Sequence, residues 1–377
     1  MPRDSTSQPG CRIGGHRAGS SDAAAFDSTN RGTMPAGQVS SNRARRTRTR
    51  WCRRAVTLVA VLVGMSALVD AGAAGADGIA LGAYVQPKPI PGHPNAAIDT
   101  LNAGIGRHLA IYQTFVDWET SAGVPNPFPA VFADYVAALG ATPMITWQPQ
   151  ATPLPGQSPA AQTDFSLAQI LTGRYDTFIQ GWADQARTFG QVVYIRLMHE
   201  MNGRWYPWGA GVNGNTPQLY VAAWQHIVTL FAGESATNVR FVWCASAGAR
   251  LAAAPYYPGD AWASWIALDG YNRAATWRSF TQVLAARYAE ITAVSTLPVM
   301  IAETASIENP LDPAGKATWI TSAFLQEIPS SFPRIRAALY FDAPIGGTGQ
   351  LLTSSAASFA AFVQVAASPL YQAAAPG

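Results

Sequence analysis

Two glutamates carry the chemistry this chain is equipped for. Glu200 closes the run Val192-Val193-Tyr194-Ile195-Arg196-Leu197-Met198-His199-Glu200, and Glu303 closes Pro298-Val299-Met300-Ile301-Ala302-Glu303. Each run has the near-continuous apolar character of a strand buried on both faces. Each then ends in a group that core packing does not want. Two carboxyls at the C-terminal ends of strands in one sheet suit glycosidic cleavage. One protonates the leaving oxygen while the other meets the anomeric carbon or activates water. Separations of about 5–5.5 Å serve the covalent, retaining route and about 6.5–9.5 Å the inverting one. For either glutamate alone the bland reading is a salt bridge, with Arg196 as partner. Both together, amid aromatic rings, favour the chemical reading.

The two roles divide by environment. Glu200 is followed by Gly203, Trp205 and Trp208, a loop with aromatic walls that would desolvate it and raise its pKa, so it takes the acid/base role. Glu303, with Tyr271 near the end of strand six as a hydrogen-bonding neighbour, takes the nucleophile role. His199 adjoins Glu200 and on a regular strand points to the opposite face. A satisfied core histidine is one outcome there, and a bulge that turns both residues to the cleft is the other. Trp147, in Ile145-Thr146-Trp147-Gln148-Pro149, and Trp205 are candidates for stacking on sugar rings. Trp208, Asn202 and Arg196 complete the expected substrate-binding set. Asp269 and Asn272 flank Tyr271, and Asp269 is either an acceptor behind the site or a polar residue of a barrel layer. Asp117, Trp118 and Asp342 are weaker rim candidates.

Elements that could position these residues alternate regularly. Apolar strands are expected at 79–85, 108–115, 142–149, 192–199, 239–246, 265–271, 298–304 and 337–342, with helices at 129–139, 174–189, 217–233, 276–294, 315–328 and 355–366. Asn215-Thr216-Pro217 offers an N-cap followed by Pro, and Gly140 and Gly190 stand where helices should stop. Eight strands separated by helices predict a (β/α)8 barrel of the α/β class, whose active sites lie at the C-terminal ends of the strands. A doubly wound open sheet is the runner-up, but no Gly-rich phosphate loop follows strand one. No internal repeat or appended module interrupts the pattern, so residues 77–377 read as one domain.

The chain's basicity belongs to its beginning. Residues 1–76 hold 11 of the 25 Lys+Arg and 4 of the 22 Asp+Glu, leaving 14 basic against 18 acidic groups in the rest. That net of −4 excludes an argument for nucleic acid from the overall charge. Residues 1–54 read as a disordered basic leader. Residues 55–76 combine the apolar run Ala55–Val69 with the small-residue stretch from Ala71 to Ala76, the layout of a secretory signal and its cleavage region. Arg53-Arg54 hints at twin-arginine export, and Met34 is an alternative start. The expectation is a secreted, extracellular monomer with no stable membrane insertion, an uncleaved anchor being the other reading. Cys11 and Cys52 precede the cleavage region, which leaves Cys244 alone as a buried small hydrophobe without a disulfide partner. No metal-ligand spacing is present and no cofactor is expected. Twelve Trp among 12% charged residues fit sugar platforms as well as a ring-filled core.

At these residues the chain resembles glycoside hydrolase family 26, best known for endo-β-1,4-mannanases. The likeness rests on His199-Glu200-Met201-Asn202-Gly203 with Trp205 and Trp208-Gly209, on Trp265-Ile266-Ala267-Leu268-Asp269-Gly270-Tyr271-Asn272, preceded by Tyr257-Pro258-Gly259-Asp260, and on Ile301-Ala302-Glu303. It covers the chain from about residue 79 to the end. The resemblance implies a retaining barrel with Glu200 as acid/base, Glu303 as nucleophile, and His199, Trp205, Tyr271 and Trp147 lining the subsites next to the cut. One departure bears on substrate. Mannanases of this family commonly place a Trp at the end of strand eight, where this chain reads Tyr340-Phe341-Asp342, followed by a small loop from Pro344 to Gly349. A β-1,4-mannan substrate leads, with mixed-linkage β-glucan and β-1,3-xylan as alternatives. A polysaccharide-binding barrel without catalysis is the reading from another class. An aldolase or phosphate-handling barrel is disfavoured, since Lys88 and Lys316, the two lysines after the leader, do not end strands.

Overall fold

The computed structural model describes residues 78–86, 93–273, 276–344, 350–371 and 374–375. The expected leader, signal, Met34, Cys11, Cys52, Lys88 and most of the loop after strand eight lie outside them. No helix among the described residues is long and apolar enough to cross a membrane.

Eight parallel strands close into a barrel in chain order, with β8 pairing back onto β1. They are β1 Ala80–Val85, β2 Ile111–Glu119, β3 Thr142–Ala151, β4 Val193–Leu197, β5 Val239–Ser246, β6 Trp265–Asn272, β7 Val299–Ser306 and β8 Ile335–Asp342. The helices between and after them are α1 Ala96–Ile105, α2 Ala130–Ala138, α3 Leu167–Ile170, α4 Asp176–Phe189, α5 Pro217–Gly233, α6 Phe280–Val294, α7 Gly315–Ser322, α8 Ile328–Ser331 and α9 Ala356–Ala367. The (β/α)8 expectation holds. Helix α1 was not among the expected elements.

Local chemistry explains the boundaries. Thr216 accepts from the Leu219 amide at the start of α5, Pro217 occupies its first turn, and Ser279 with Gln282 forms a capping box on α6. Gly190 ends α4 with φ +73°, a left-handed cap that glycine adopts without steric cost. The pleat then divides the side chains into two cores. Ala80, Met144, Tyr194, Val242, Cys244, Ala267, Met300 and Leu339 pack together, and Cys244 is buried among them as expected. Ile145, Trp147, Ile195, Leu197, Trp243 and Ile301 belong to a second cluster that includes residues of the helices.

Strand four is where the structure departs most usefully. The apolar run predicts a strand to residue 199, but β4 ends at Leu197, and Met198 and Glu200 take left-handed backbones with φ 43° and 54°. For residues with side chains this costs on the order of 1–3 kcal/mol each. The turn is held from several sides. The Met198 amide donates to Trp147 O at 3.3 Å and the Glu200 amide to Cys244 O at 2.8 Å. Tyr220 on α5 donates its hydroxyl to Met198 O at 3.0 Å.

Candidate active site

A cleft of about 570 Å³ opens at the C-terminal ends of the strands, and both Glu200 and Glu303 line it. The left-handed turn after β4 breaks the strand alternation, so His199 and Glu200, neighbours in sequence, both reach the cleft.

Glu303, on β7, is buried and meets donors from three other strands. Arg196 from β4 and Gln113 from β2 donate to Oε1, the latter at 3.2 Å, while the Tyr271 hydroxyl from β6 donates to Oε2. These are the partners an ionised carboxylate is matched to. Glu200 sits differently. Trp205 donates its indole N–H to Oε2 at 2.7 Å. Burial, followed by repulsion from Glu303, pushes the Glu200 carboxyl up to about 7, against the pull of Ser246, Arg196 and Trp205. One carboxyl is thus poised to hold a proton near neutrality and the other is surrounded by donors.

Arg196 joins the acids beneath the cleft. Fully buried, it donates to Asp269 Oδ2 at 2.6 Å and to Thr146 Oγ1 at 2.9 Å besides Glu303. Burial opposes its charge, but Asp269 and Glu303 raise its pKa well above the usual value, so it stays a guanidinium. Burial, then Arg196, lowers His199 well below its ordinary range, so the ring is neutral. His199 Nε2 meets the Tyr206 hydroxyl at 3.0 Å, while Nδ1 is buried with no partner among the described residues. His199, Asp269 and Glu303 bring ligand atoms within 4.8 Å of one another, the type of cluster that holds a metal ion. Arg196 already supplies positive charge to both of its carboxylates.

Four sequence candidates are placed elsewhere. Trp147 is fully buried, stacked on Trp182 with ring centroids 4.5 Å apart and flanked by Phe178 and Phe231, so it is no sugar platform. The register explains it: Thr146 pairs with inward Arg196, which turns Trp147, next along the pleat, toward the helices. Arg196 holds Glu303 and Asp269 from below and is not exposed to the cleft. Trp208 is fully buried, donating to His199 O at 2.7 Å and stacking on Tyr206. Asn202 ties the turn to β5, accepting from the Ser246 amide and donating to Ser246 O, each at 2.9 Å. All three therefore support the site and do not line it.

Trp205, 41% exposed, and Tyr271 do line the cleft. Asp269 also lines it, whereas Asn272 is buried, bonding to the Ser306 hydroxyl and the Arg278 amide. Asp117 accepts from Gln148, Gln150 and Thr152 at 2.8 Å each, Trp118 is fully buried, and Asp342 accepts from the Leu352 amide. The sequence reading missed Phe115, Tyr206, Ser246, Arg273 and Arg278 in the cleft wall and Gln113 behind it. Gln113 and Phe115 alternate on β2 and were legible as a strand face. Phe341, noted only as part of the strand-eight segment that lacks the expected Trp, stacks on Tyr84 at 4.8 Å and lines the cleft.

Comparison with known proteins agrees with this arrangement. Residues 168–310, which hold Glu200, Tyr271 and Glu303, match the profile of glycosyl hydrolase family 26. Endoglucanase H of Acetivibrio thermocellus is 32% identical over 275 residues, covering 70% of this chain and 28% of that protein. The mannan endo-1,4-beta-mannosidase A and B of Caldalkalibacillus mannanilyticus is 34% identical over 94 residues, covering 24% of this chain and 18% of that one. The chain thus spans less than a third of the length of these relatives. Among solved structures, a modular endo-beta-1,4-mannanase from Cellulomonas fimi shares the fold with a TM-score of 0.59 at 19% identity, covering 78% of this chain and 72% of that one. A beta-mannanase from Bacteroides ovatus aligns with a TM-score of 0.53 at 15% identity, covering 78% and 90%. Motif, barrel and matched segment together place the chain in glycosyl hydrolase family 26.

Proposed function

We propose that the protein is a secreted, retaining endo-β-glycanase that cleaves β-1,4-mannan with Glu303 as nucleophile and Glu200 as acid/base. The observation that carries this reading is the contrast between the two carboxyls. Glu200 is pushed up to about 7 by burial and by Glu303, while Glu303 is met by Arg196, Tyr271 and Gln113.

In the first step a Glu303 oxygen bonds to the anomeric carbon as the glycosidic C–O bond breaks, and Glu200 gives its proton to the departing oxygen. The Glu200 carboxylate then takes a proton from water, which attacks the same carbon and releases Glu303. Arg196 and Tyr271 hold the nucleophile in place throughout, and Trp205 does the same for the acid. A β-glucan substrate is the second reading, favoured by the longer similarity to an endoglucanase than to a mannosidase.

Reducing-sugar release from mannan, glucomannan, mixed-linkage β-glucan and β-1,3-xylan tests both, with Glu303→Ala as control. Cleavage of mannan that disappears in the control is expected. Cleavage that survives Glu303→Ala would sink the nucleophile, and preference for mixed-linkage glucan would replace mannan with the second reading.

A further inference from the structure

Residues 77–377 contain twelve arginines. Four pair with carboxylates and four donate to main-chain carbonyls. The remaining four, Arg204, Arg250, Arg273 and Arg278, are exposed, and no described residue accepts a hydrogen bond from their guanidinium groups. They are not scattered. Arg204 lies in the loop after β4, Arg250 in the loop after β5, and Arg273 and Arg278 in the loop after β6. All three loops leave the C-terminal face, and across 198–216, 247–253 and 273–279 the one acidic residue is Glu200. Among the described residues of a domain with a net charge of −4, the arginines whose guanidinium groups are hydrogen-bonded to nothing all fall in three consecutive loops of this one face, and two of them line the cleft.

Two of them reach the cleft itself. Arg273 and Arg278 line it together with Glu200, Tyr271 and Glu303. The Arg273 guanidinium lies 5.7 Å from the centre of the Tyr271 ring, whose hydroxyl touches the nucleophile. The Arg278 main chain is fixed at both ends: Asn272 Oδ1 accepts from its amide at 2.8 Å, and Trp319 donates to its carbonyl at 3.0 Å. The loop carrying Arg250 is held by Arg287, which donates to Ala249 O at 2.8 Å.

A neutral glycan offers such groups no charge to pair with. A guanidinium fork matches a carboxylate with two parallel hydrogen bonds, and a cleft lined by one sign of charge concentrates ligands of the other. We propose that the glycan bound here is anionic: a β-linked polysaccharide whose sugars carry carboxylate groups. Arg273 and Arg278 take a carboxylate beside the cut, and Arg204 and Arg250 draw in the chain on the same side. This rests on the glycosidase reading and departs from it in substrate: the cleft takes a carboxylated β-glycan in preference to neutral mannan.

The test uses a matched set of polymers: glucomannan, the same glucomannan with part of its primary hydroxyls oxidised to carboxylates, and a sulfated form of equal charge density. Binding is measured to the full-length protein carrying Glu303→Ala, so that no turnover is needed. The carboxylated polymer should bind about tenfold tighter than the neutral one at low salt, a preference of the size charge-assisted pairs supply. That ratio should fall to near one in Arg273→Gln/Arg278→Gln, and also in ~1 M NaCl, where the screening length shrinks to ~3 Å. The double Lys variant should keep part of it, and the salt comparison needs no arginine variant. Equal binding of neutral and carboxylated polymers, or a ratio unmoved by the double Gln variant, would overturn the proposal. Tighter binding of the sulfated form would overturn the carboxylate assignment. Cleavage by the unmutated protein reads the other question separately: charge preference without cleavage would sink the glycosidase reading alone.

Discussion

Trp205 bonds its indole N–H to Glu200 across 2.7 Å, and the same ring lies so close over Gly203 that a methyl group there would come within 2.3 Å of it. Three ring atoms would be met at 2.5 Å or less, so the ring as a whole must move. Gly203→Ala is therefore expected to swing Trp205 outward and lower turnover by about 10- to 100-fold, less than the ~10²–10⁴-fold expected for losing the acid itself. The melting temperature should change little, because the ring is already 41% exposed. Unchanged turnover in the alanine variant would show that Trp205 does not position Glu200.

Glu200 gives a pH prediction with a definite sign. Its carboxyl is raised from the ordinary 4.5 to about 7, so the protonated acid persists up to near neutrality and activity should decline as pH rises through about 7. Stability follows from the same shift. Between pH 4.5 and 7 the folded chain keeps a proton that the unfolded chain has lost, so this group makes stability fall as pH rises. Glu200→Gln should be no more stable than the parent below pH 4.5, and more stable by up to ~3 kcal/mol above pH 7. Denaturant midpoints at pH 4 and pH 8 provide the check, and an equal difference at both would contradict the shift.

The acid role also separates two substrate types. Glu200→Ala should lose ~10²–10⁴-fold on polysaccharide but far less on aryl glycosides whose leaving groups need little protonation. Steady-state rates on both substrates decide it, and equal losses would count against the assignment.

Arg196 is predicted to matter for folding as well as for catalysis. Replacing it with Met leaves Asp269 and Glu303 buried beside one another without a cation, a change expected to cost ~3–5 kcal/mol. The loss should shrink at acid pH, where the Asp269 carboxyl, raised well above its ordinary value by burial, takes up a proton. Urea unfolding at pH 7 and pH 4 measures both effects, and a cost below ~1 kcal/mol at pH 7 would mean the pair is not stabilised by its cation.

Chelation tests the remaining ligand cluster. His199, Asp269 and Glu303 could gather around a metal, but Arg196 contacts both carboxylates. Activity is expected to be unchanged after EDTA treatment. A large loss restored by a divalent cation would show that the cluster binds metal.

Much of this molecule was legible one strand at a time. A strand buried on both faces must be apolar along its length, so the eight runs and their Glu200 and Glu303 endings stood out from the chain alone, and α5 was bounded by Thr216, Pro217 and Gly233 as expected. What the sequence could not decide was direction and adjacency. Thr146 and Trp147 are consecutive, and the register of β3 against β4, set by closure of the whole barrel, turned the first to Arg196 and the second to the helices. Leu197 ended β4 early because a left-handed turn, held by Cys244 and Tyr220 from other elements, outweighed the local preference for strand. Phe115 and Phe341 meet across a wall that exists only because β8 pairs with β1. Residue types and their order determined the chemistry available to this protein. Barrel closure decided which side chains share the cleft, because facing and contact between distant strands arise only from long-range pairing.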